Sequence, residues 1–325
     1  MSLPSYLKVI AVAPALAVTL AACGSSKTSS SAASGSGSSS ASSSSSGAAS
    51  SGPGKGKPPI VLGDKNFDEE YLLGALYQQA LQAKGYTVTL KGNIGSTEII
   101  WKALKGGQIQ MYPEYTGTLL ATIAGDNKPP SSAQDTFNKA NAFVKKNGFE
   151  LLEQTPFFDA DALAVKKAYA QQNNLHTIAD IKKLGKVSYG APAENRTRYF
   201  GLVGLHQLYG LNNLQFVPLA EGLNYKALDS GQVKVGTVFT TDPQLQSGKY
   251  TVLDDSKKLF GFQNVAPVVK ASLVQAEGPA FAQTVNKVSS LLTLPAIIKM
   301  NAAVQLDQQA PATVAHQFLA ANGLA

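Results

Sequence analysis

The hydrophobic positions after residue 57 alternate between the spacing of strands and the spacing of helices. Pro58–Gly63 has the pattern of a short strand, Asp68–Ala83 that of an amphipathic helix, and Tyr86–Leu90 that of a second strand. Helical spacing returns over Thr97–Lys105, and an alternating run over Gln108–Tyr112 predicts a third strand. This β-α-β-α-β order predicts a parallel sheet with right-handed crossovers.

The second half of the chain continues the alternation without an obvious sequence repeat. The predicted strands are 161–165, 186–190, 214–218, 233–240 and 265–268, and the predicted helices are 177–184, 197–209, 224–230, 279–292 and 294–305. Chain crossings near Asp159–Asp161 and near Phe262–Val265 divide these elements between two sheets. We therefore expect an α/β fold of two lobes with a cleft between them, the first formed by residues 58–159 and 264–325 and the second by residues 160–263.

The third predicted strand runs into an unusual stretch, Met111-Tyr-Pro-Glu-Tyr-Thr-Gly-Thr118. Two tyrosines, a proline and a glycine crowd into these eight residues where the strand is expected to end. In open α/β sheets, ligands bind beyond the carboxyl ends of the strands. The stretch therefore predicts a ligand site with aromatic faces and hydroxyl groups, in which Tyr112 packs inside the lobe.

The N-terminus has the pattern of an export signal. Lys8 precedes an apolar run over Val9–Ala22, and Leu20-Ala-Ala-Cys23 ends that run at the only cysteine of the chain. This ending resembles a bacterial lipobox, which implies a signal peptide over residues 1–22 and a lipid on Cys23. The alternative is a simple secretory signal followed by an incidental buried cysteine. A single cysteine excludes internal disulfides and cysteine-based metal sites.

Residues 24–57 are almost entirely Ser, Ala and Gly, which bury too little surface to fold. We expect residues 23–57 to form a disordered tether that carries Cys23 at its start. The signal and the tether also hold four lysines and no acidic residue. Without those lysines the formal charge falls from +7 to +3, with 24 basic and 21 acidic residues. Such a balance, without a basic patch that alternates with aromatic residues, argues against nucleic-acid binding.

The sequence also argues against an enzyme. His176, His206 and His316 are scattered, with no spacing that would join two of them at a metal or one to a nucleophile. The chain contains no Gly-x-Ser-x-Gly elbow, phosphate-binding loop or dinucleotide fingerprint. We therefore predict a binding protein with no catalytic residues, no metal and no cofactor.

From Ile60 to Leu324 the chain resembles the solute-binding proteins of ABC importers for quaternary-amine osmoprotectants such as glycine betaine, choline and carnitine. The motifs that carry the resemblance are Gly63-Asp-Lys-Asn-Phe67, Glu70-Tyr-Leu-Leu-Gly74, Gly95-Ser-Thr-Glu98 before Ala103-Leu-Lys105, Tyr112-Pro-Glu-Tyr-Thr-Gly-Thr118, Ala162-Leu-Ala-Val165, Tyr225-Lys-Ala-Leu228 and Phe239-Thr-Thr-Asp242. The resemblance implies a type II periplasmic-binding-protein fold that closes on a solute. It further implies permease and ATPase partners, a lipid-anchored monomer on the outer face of the cell membrane, and a cage of aromatic rings around the ammonium group.

The resemblance also implies roles for particular residues. Tyr115 matches a wall of the cage, Thr118 a hydroxyl donor to the ligand carboxylate, and Lys65 a lysine that faces the cleft. From the residues alone, these three side chains fit a core tyrosine, a helix cap and a surface lysine equally well. Arg198 matches an arginine that grips a carboxylate, although Arg196 lies close enough to take that place.

Three positions depart from the family pattern. Phe239 and Phe262 fall where tyrosines are common, and a phenyl face still attracts a cation. Asp161 falls where another cage tyrosine is common, unless Asp159 is the residue at the cleft or Asp161 points into solvent. A carboxylate in the cage would pair directly with a cation and shift preference away from plain glycine betaine. The alternatives are the same scaffold binding a different small solute, or acting as a surface sensor.

Overall fold

The computed structural model describes residues 52–128 and 131–325. The predicted signal peptide, Cys23 and most of the predicted tether lie outside the described residues. Within the described part, ten strands form two five-stranded sheets with helices on both faces of each, so the predicted α/β class is confirmed. None of the helices in this part is long and apolar enough to cross a membrane.

The strands are short, and most helices have between three and sixteen residues. The strands are β1 (Ile60–Gly63), β2 (Val88–Lys91), β3 (Met111–Tyr115), β4 (Phe149–Leu151), β5 (Asp161–Lys166), β6 (Val187–Pro192), β7 (Leu214–Leu219), β8 (Val235–Phe239), β9 (Tyr250–Leu253) and β10 (Val265–Lys270). The α-helices are α1 (Asp68–Ala83), α2 (Thr97–Lys105), α3 (Thr116–Thr118), α4 (Ala133–Lys146), α5 (Lys167–Asn173), α6 (Gly204–Gln207), α7 (Asn224–Ser230), α8 (Ala271–Glu277), α9 (Pro279–Leu291), α10 (Leu294–Gln305) and α11 (Pro311–Ala321). Segments of 3₁₀-helix cover Ile178–Lys183, Ala193–Arg196 and Pro243–Ser247, and π-helical segments cover Leu119–Ala124 and Tyr199–Val203.

The first sheet has the order β2-β1-β3-β10-β4. Strand β1 pairs in parallel with β2 and β3, as the alternation of strands and helices predicts, whereas β10 is antiparallel to β3 and β4. The second sheet has the order β7-β6-β8-β5-β9, with β5 antiparallel to β8 and β9. We call each sheet with the helices that pack on it the first lobe and the second lobe.

Apolar side chains cover both faces of each sheet. In the first lobe, Leu72 and Leu76 of α1 pack with Val285 of α9 on one face, and Trp101 and Val144 pack on the other. The second sheet likewise separates two clusters of buried residues. Because helices shield both faces, the inner strands β3, β8 and β10 are buried over nearly their whole length, whereas the edge strands β2, β7 and β9 are partly exposed.

The chain crosses between the lobes where β5 and β10 begin. Phe158 forms an antiparallel bridge with Asn264, and the Asn264 amide donates to the carbonyl oxygens of Thr155 and Phe157 at 3.0 Å each. These contacts bind the two crossing segments to each other. The first lobe therefore receives β10 beside β3, which brings the end of β3 next to the crossings.

Two predicted elements differ from the structure. The third strand lies at Met111–Tyr115 instead of Gln108–Tyr112, so Tyr115 is the last residue of β3. The helix predicted over 197–209 is broken at Phe200 and Gly201. A Cβ at Gly201 would lie 2.1 Å from the carbonyl oxygen of Asn195, so close packing of the backbone interrupts the helix there.

We expect Gly117→Ala to destabilise the fold. A Cβ at Gly117 would lie 2.6 Å from the carbonyl oxygen of Phe262 and 2.8 Å from Oε1 of Gln263. Relieving such an overlap costs about 1–3 kcal/mol. Chemical denaturation measures the loss, and Gly185→Ala is the control because nothing lies within 4 Å of the added carbon. Equal stability of the two variants would contradict this packing.

Candidate ligand-binding cavity between the lobes

A cavity between the lobes lies beyond the end of β3. It comprises about 530 Å³ of space not occupied by protein atoms, including its opening to solvent. Its lining residues are Lys65, Asn66, Phe67, Ser96, Thr97, Tyr115, Thr118, Asp159, Asp161, Pro192, Glu194, Asn195, Arg198, Glu221 and Phe239. Both lobes contribute to this wall, so the cavity has the position expected of a cleft ligand site.

Tyr115 is both buried and part of the cavity wall. Only 5% of the residue is exposed, and its hydroxyl donates a 2.7 Å hydrogen bond to Oε1 of Glu69. Burial raises the pKa of the Tyr115 phenol well above its ordinary value, and the neighbouring carboxylates raise it further. The phenol therefore stays protonated and holds the ring in one orientation.

Glu69 joins Tyr115 to the second lobe. Its other oxygen, Oε2, accepts 2.7 Å hydrogen bonds from Oγ1 of Thr241 and from Nδ2 of Asn301. Burial raises the pKa of the Glu69 carboxyl, whereas the hydrogen bonds from Asn301, Tyr115 and Thr241 act in the opposite direction. Glu69 lies in the first turn of α1, where the helix N-terminus favours a carboxylate. Its three donors come from β3, α10 and the segment after β8.

Lys65 follows β1 and is also buried. Its ammonium contacts the carboxylate of Glu114 and lies 4.0 Å from Oε1 of Glu70. The same ammonium lies 4.6 Å from the centroid of the Tyr115 ring. Lys65 lines the cavity, but its charge is already balanced by carboxylates of the first lobe.

Three aromatic rings among the described residues line the cavity: Tyr115, Phe67 and Phe239. The centroid of Phe67 lies 6.0 Å from that of Tyr115 and 6.4 Å from that of Phe239. Phe67 precedes α1 in the first lobe, and Phe239 ends β8 in the second. Sequence reasoning missed Phe67, although the motif Gly63-Asp-Lys-Asn-Phe67 contained it.

Phe262 is not among the residues that line this cavity, so its predicted contact with the ligand stays a prediction. Phe262 lies against two other depressions of the surface, one of them shared with Gly117, Leu120 and Phe200. The crossing segment passes so close to Gly117 that the backbone oxygen of Phe262 packs against it. This contact directs the crossing away from the cavity, and Phe67 lies in the aromatic wall instead.

Thr118 lines the cavity, but its hydroxyl has a partner in the protein. Oγ1 donates to Oε1 of Gln263 at 3.1 Å, and the Thr118 backbone N–H donates to the same oxygen at 2.7 Å. Gln263 lies in the crossing before β10, so Thr118 fastens the end of α3 to that crossing.

Among the described residues, four carboxyl groups and two cations line the cavity. The carboxyl groups belong to Asp159, Asp161, Glu194 and Glu221, and the cations to Lys65 and Arg198. Asp159 and Asp161 both line this space, so neither of them points only into bulk solvent. The cavity is acidic once Lys65 is paired.

Burial perturbs these carboxyl groups. It raises the pKa of Asp161 to about 6, although the charge of Arg198 opposes the shift. It raises the pKa of Glu221 to about 8, with help from the charges of Glu194 and Asp161. Burial therefore favours the protonated form of these acids, and a bound cation would favour their ionised form.

Arg198 is the arginine that reaches the cavity. Its Nε and Nη2 donate to the two carboxylate oxygens of Glu98 at 3.0 and 2.8 Å, which makes a bidentate ion pair between the second and the first lobe. Burial alone would raise the pKa of Glu98, but the hydrogen bonds and charge of Arg198 outweigh it and lower that pKa to about 2. Arg196 is exposed and lies over the ring of Phe216 at 4.7 Å.

The described residues contain no group of three or more His, Cys, Asp or Glu side chains arranged to hold a metal ion. The acids of the cavity are distributed around its wall instead. The chemistry that the wall supports is attraction of an organic cation by rings and carboxylates.

We expect the stability of the protein to fall as pH rises from 5 to 8. Glu221, with its pKa raised to about 8, keeps a proton in the folded state that the unfolded chain has already lost above its ordinary pKa. Glu221→Gln stays neutral, so its melting temperature should fall less over this pH range. Glu153→Gln, at an exposed position outside the cavity, is the control and should follow the parent protein. If the melting temperatures of Glu221→Gln and the parent depend on pH in the same way, the raised pKa of Glu221 is contradicted.

Comparison with known proteins agrees with this architecture. The family model described as the substrate binding domain of ABC-type glycine betaine transport system matches residues 58–321. A glycine-betaine-binding protein of Pseudomonas aeruginosa is 31% identical over 273 residues, which cover 79% of this chain and 86% of that protein. The glycine betaine-binding protein YehZ of Escherichia coli is 26% identical and aligns with 82% of this chain and 91% of its own length.

A solved structure described as a glycine betaine/carnitine/choline ABC transporter has the same fold. It superposes with a TM-score of 0.65 at 23% identity, covering 82% of this chain and 99% of its own. The two-lobe fold and the match over residues 58–321 confirm the resemblance that the motifs indicated. The chain belongs to the family of substrate-binding domains of ABC-type glycine betaine transport systems.

Proposed function

We propose that this protein captures a small quaternary-ammonium solute of the glycine betaine and choline type and delivers it to an ABC importer. One observation carries the proposal: rings from both lobes and a set of carboxyl groups line the same cavity. A quaternary ammonium has no N–H to donate, so it is held by ring faces and by the field of nearby anions. Tyr115, Phe67, Phe239 and Asp161 supply these two attractions.

The other predicted residues have supporting roles in this proposal. Lys65 holds the Tyr115 ring from the side of the first lobe, and Thr118 ties the wall to the crossing through Gln263. Glu69 receives hydrogen bonds from both lobes, so closing of the lobes and completion of the wall occur together. No residue is assigned a catalytic role, and the protein acts as a carrier without a cofactor.

We expect Phe67→Leu and Phe239→Leu each to weaken binding of trimethylammonium solutes by about tenfold, because each removes one desolvated ring from the cation. Isothermal titration with choline and with glycine betaine measures the change. Phe262→Leu is the matched control, since Phe262 lies outside the cavity. Absence of binding by the parent protein to either solute would favour another small solute or a sensor role.

The family is the extracytoplasmic component of ABC importers. We propose that this member is a monomer held at the outer face of the cell membrane by a lipid on Cys23, with residues 24–57 as a tether. The Leu20-Ala-Ala-Cys23 ending and the Ser- and Gly-rich composition support the anchor. Its partners would be the permease and ATPase subunits of the importer, without contact to nucleic acid.

We expect Cys23→Ala to release the protein from membranes, because the thiol is the proposed site of lipid attachment. Fractionation of cells that express the full chain, followed by labelling with a radioactive fatty acid, measures both the location and the modification. Ser25→Ala is the control within the same segment. Retention of labelled protein in the Cys23→Ala variant would contradict the anchor.

A further inference from the structure

Arg198 presents its guanidinium to the cavity as the cation that the second lobe contributes to the described wall, and one carboxylate engages its Nε and Nη2. Nε and Nη2 form a planar pair of donors, which matches the two oxygens of one carboxylate. Glu98 supplies that carboxylate from the opposite lobe, with both bonds at 3.0 Å or shorter. The positive charge that would attract a ligand carboxylate from the second lobe is therefore already balanced by a carboxylate of the protein itself.

Glu98 is held in position independently of Arg198. Its Oε2 accepts a 2.6 Å hydrogen bond from Oγ of Ser96, and it lies in the first turn of α2, where the helix N-terminus favours an anion. The Arg198 side chain is 17% exposed and the Glu98 side chain 37%, so the guanidinium is largely shielded from water and the carboxylate partly so. Shielding strengthens the ion pair and makes replacement of Glu98 by a ligand carboxylate costly.

The other titratable side chains of the cavity also disfavour binding of a ligand carboxylate. Lys65 is paired with Glu114, and besides Arg198 the other titratable groups of the wall are the carboxyls of Asp159, Asp161, Glu194 and Glu221. A ligand carboxylate would face these acids without a free cation among the described lining residues. The ammonium end of a ligand would instead be attracted by the rings and the carboxyl groups of the wall.

We infer that Glu98 is a specificity-determining residue: by occupying Arg198, it selects ammonium cations with an uncharged tail, such as an ammonium alcohol, over zwitterions that end in a carboxylate. The inference rests on the proposed function of the cavity and adds the chemical class of its ligand. It assigns to Glu98 a role as an internal competitor for the ligand carboxylate.

The test compares choline with glycine betaine, which share a trimethylammonium group and differ in a hydroxyl or carboxylate tail. Isothermal titration should give tighter binding of choline to the parent protein. Glu98→Gln keeps the shape of the side chain and removes its charge, so the affinity ratio should shift toward glycine betaine by about tenfold or more, as expected for a freed charge-assisted pair. Thermal melting checks that the variant is folded.

Two further variants sharpen the result. Oε1 of Glu194 lies 3.9 Å from Nη2 of Arg198 and forms no bidentate pair with it. Glu194→Gln should therefore shift the affinity ratio of choline to glycine betaine less than Glu98→Gln does. Glu153→Gln, exposed and outside the cavity, should leave the ratio unchanged.

The possible outcomes separate the inference from the proposed function. An unchanged ratio in Glu98→Gln, or an equal shift in Glu194→Gln, overturns the role of Glu98 while the protein remains a binder of quaternary amines. Tighter binding of glycine betaine than of choline by the parent also overturns it. Binding of neither solute contradicts the proposed function itself, and the inference falls with it.

Discussion

The hydrogen bonds of the Glu69 carboxylate hold the closed arrangement of the two lobes together. A buried carboxylate is costly unless donors surround it, and here those donors come from Tyr115, Thr241 and Asn301. Tyr115 and Asn301 belong to the first lobe, and Thr241 follows β8 of the second lobe. Separation of the lobes would strip Glu69 of the Thr241 bond and open the wall beside the Tyr115 ring. One buried charge thus couples the shape of the cavity to the relation between the lobes.

The preference of the cavity for cations follows from the pairing of its own two described cations with carboxylates of the protein. Lys65 is balanced by Glu114, and Arg198 by Glu98 across the cleft. The charges that remain directed at the cavity are carboxyl groups, and the uncharged part of the wall includes three described rings. Rings and anions attract the same kind of group, a poorly hydrated organic cation. A ligand carboxylate, in contrast, would compete with Glu98 for Arg198.

Much of the fold can be predicted from the local pattern of apolar and polar residues. Strand and helix periodicity located nearly all elements around the site, because apolar residues at regular spacing have few other ways to be buried. The boundary of β3 was misplaced by three residues, since Pro113 and Glu114 do not look like buried strand residues, yet both pair with β10. The broken helix at Gly201 depends on the approach of a distant carbonyl group, that of Asn195, which no local pattern records.

The sequence by itself determined the two-lobe α/β class, and it predicts an export signal, a tether and several of the residues at strand ends that line the cavity. These follow from hydrophobic periodicity and composition, which act over neighbouring residues. Only the tertiary structure decided that Phe67, rather than Phe262, joins Tyr115 and Phe239, because the crossing packs its backbone against Gly117. It also decided that Glu98 meets Arg198, since the two residues are a hundred positions apart and come together only when the lobes do. Charge pairing across a cleft is a property of folded geometry, and no spacing along the chain encodes it.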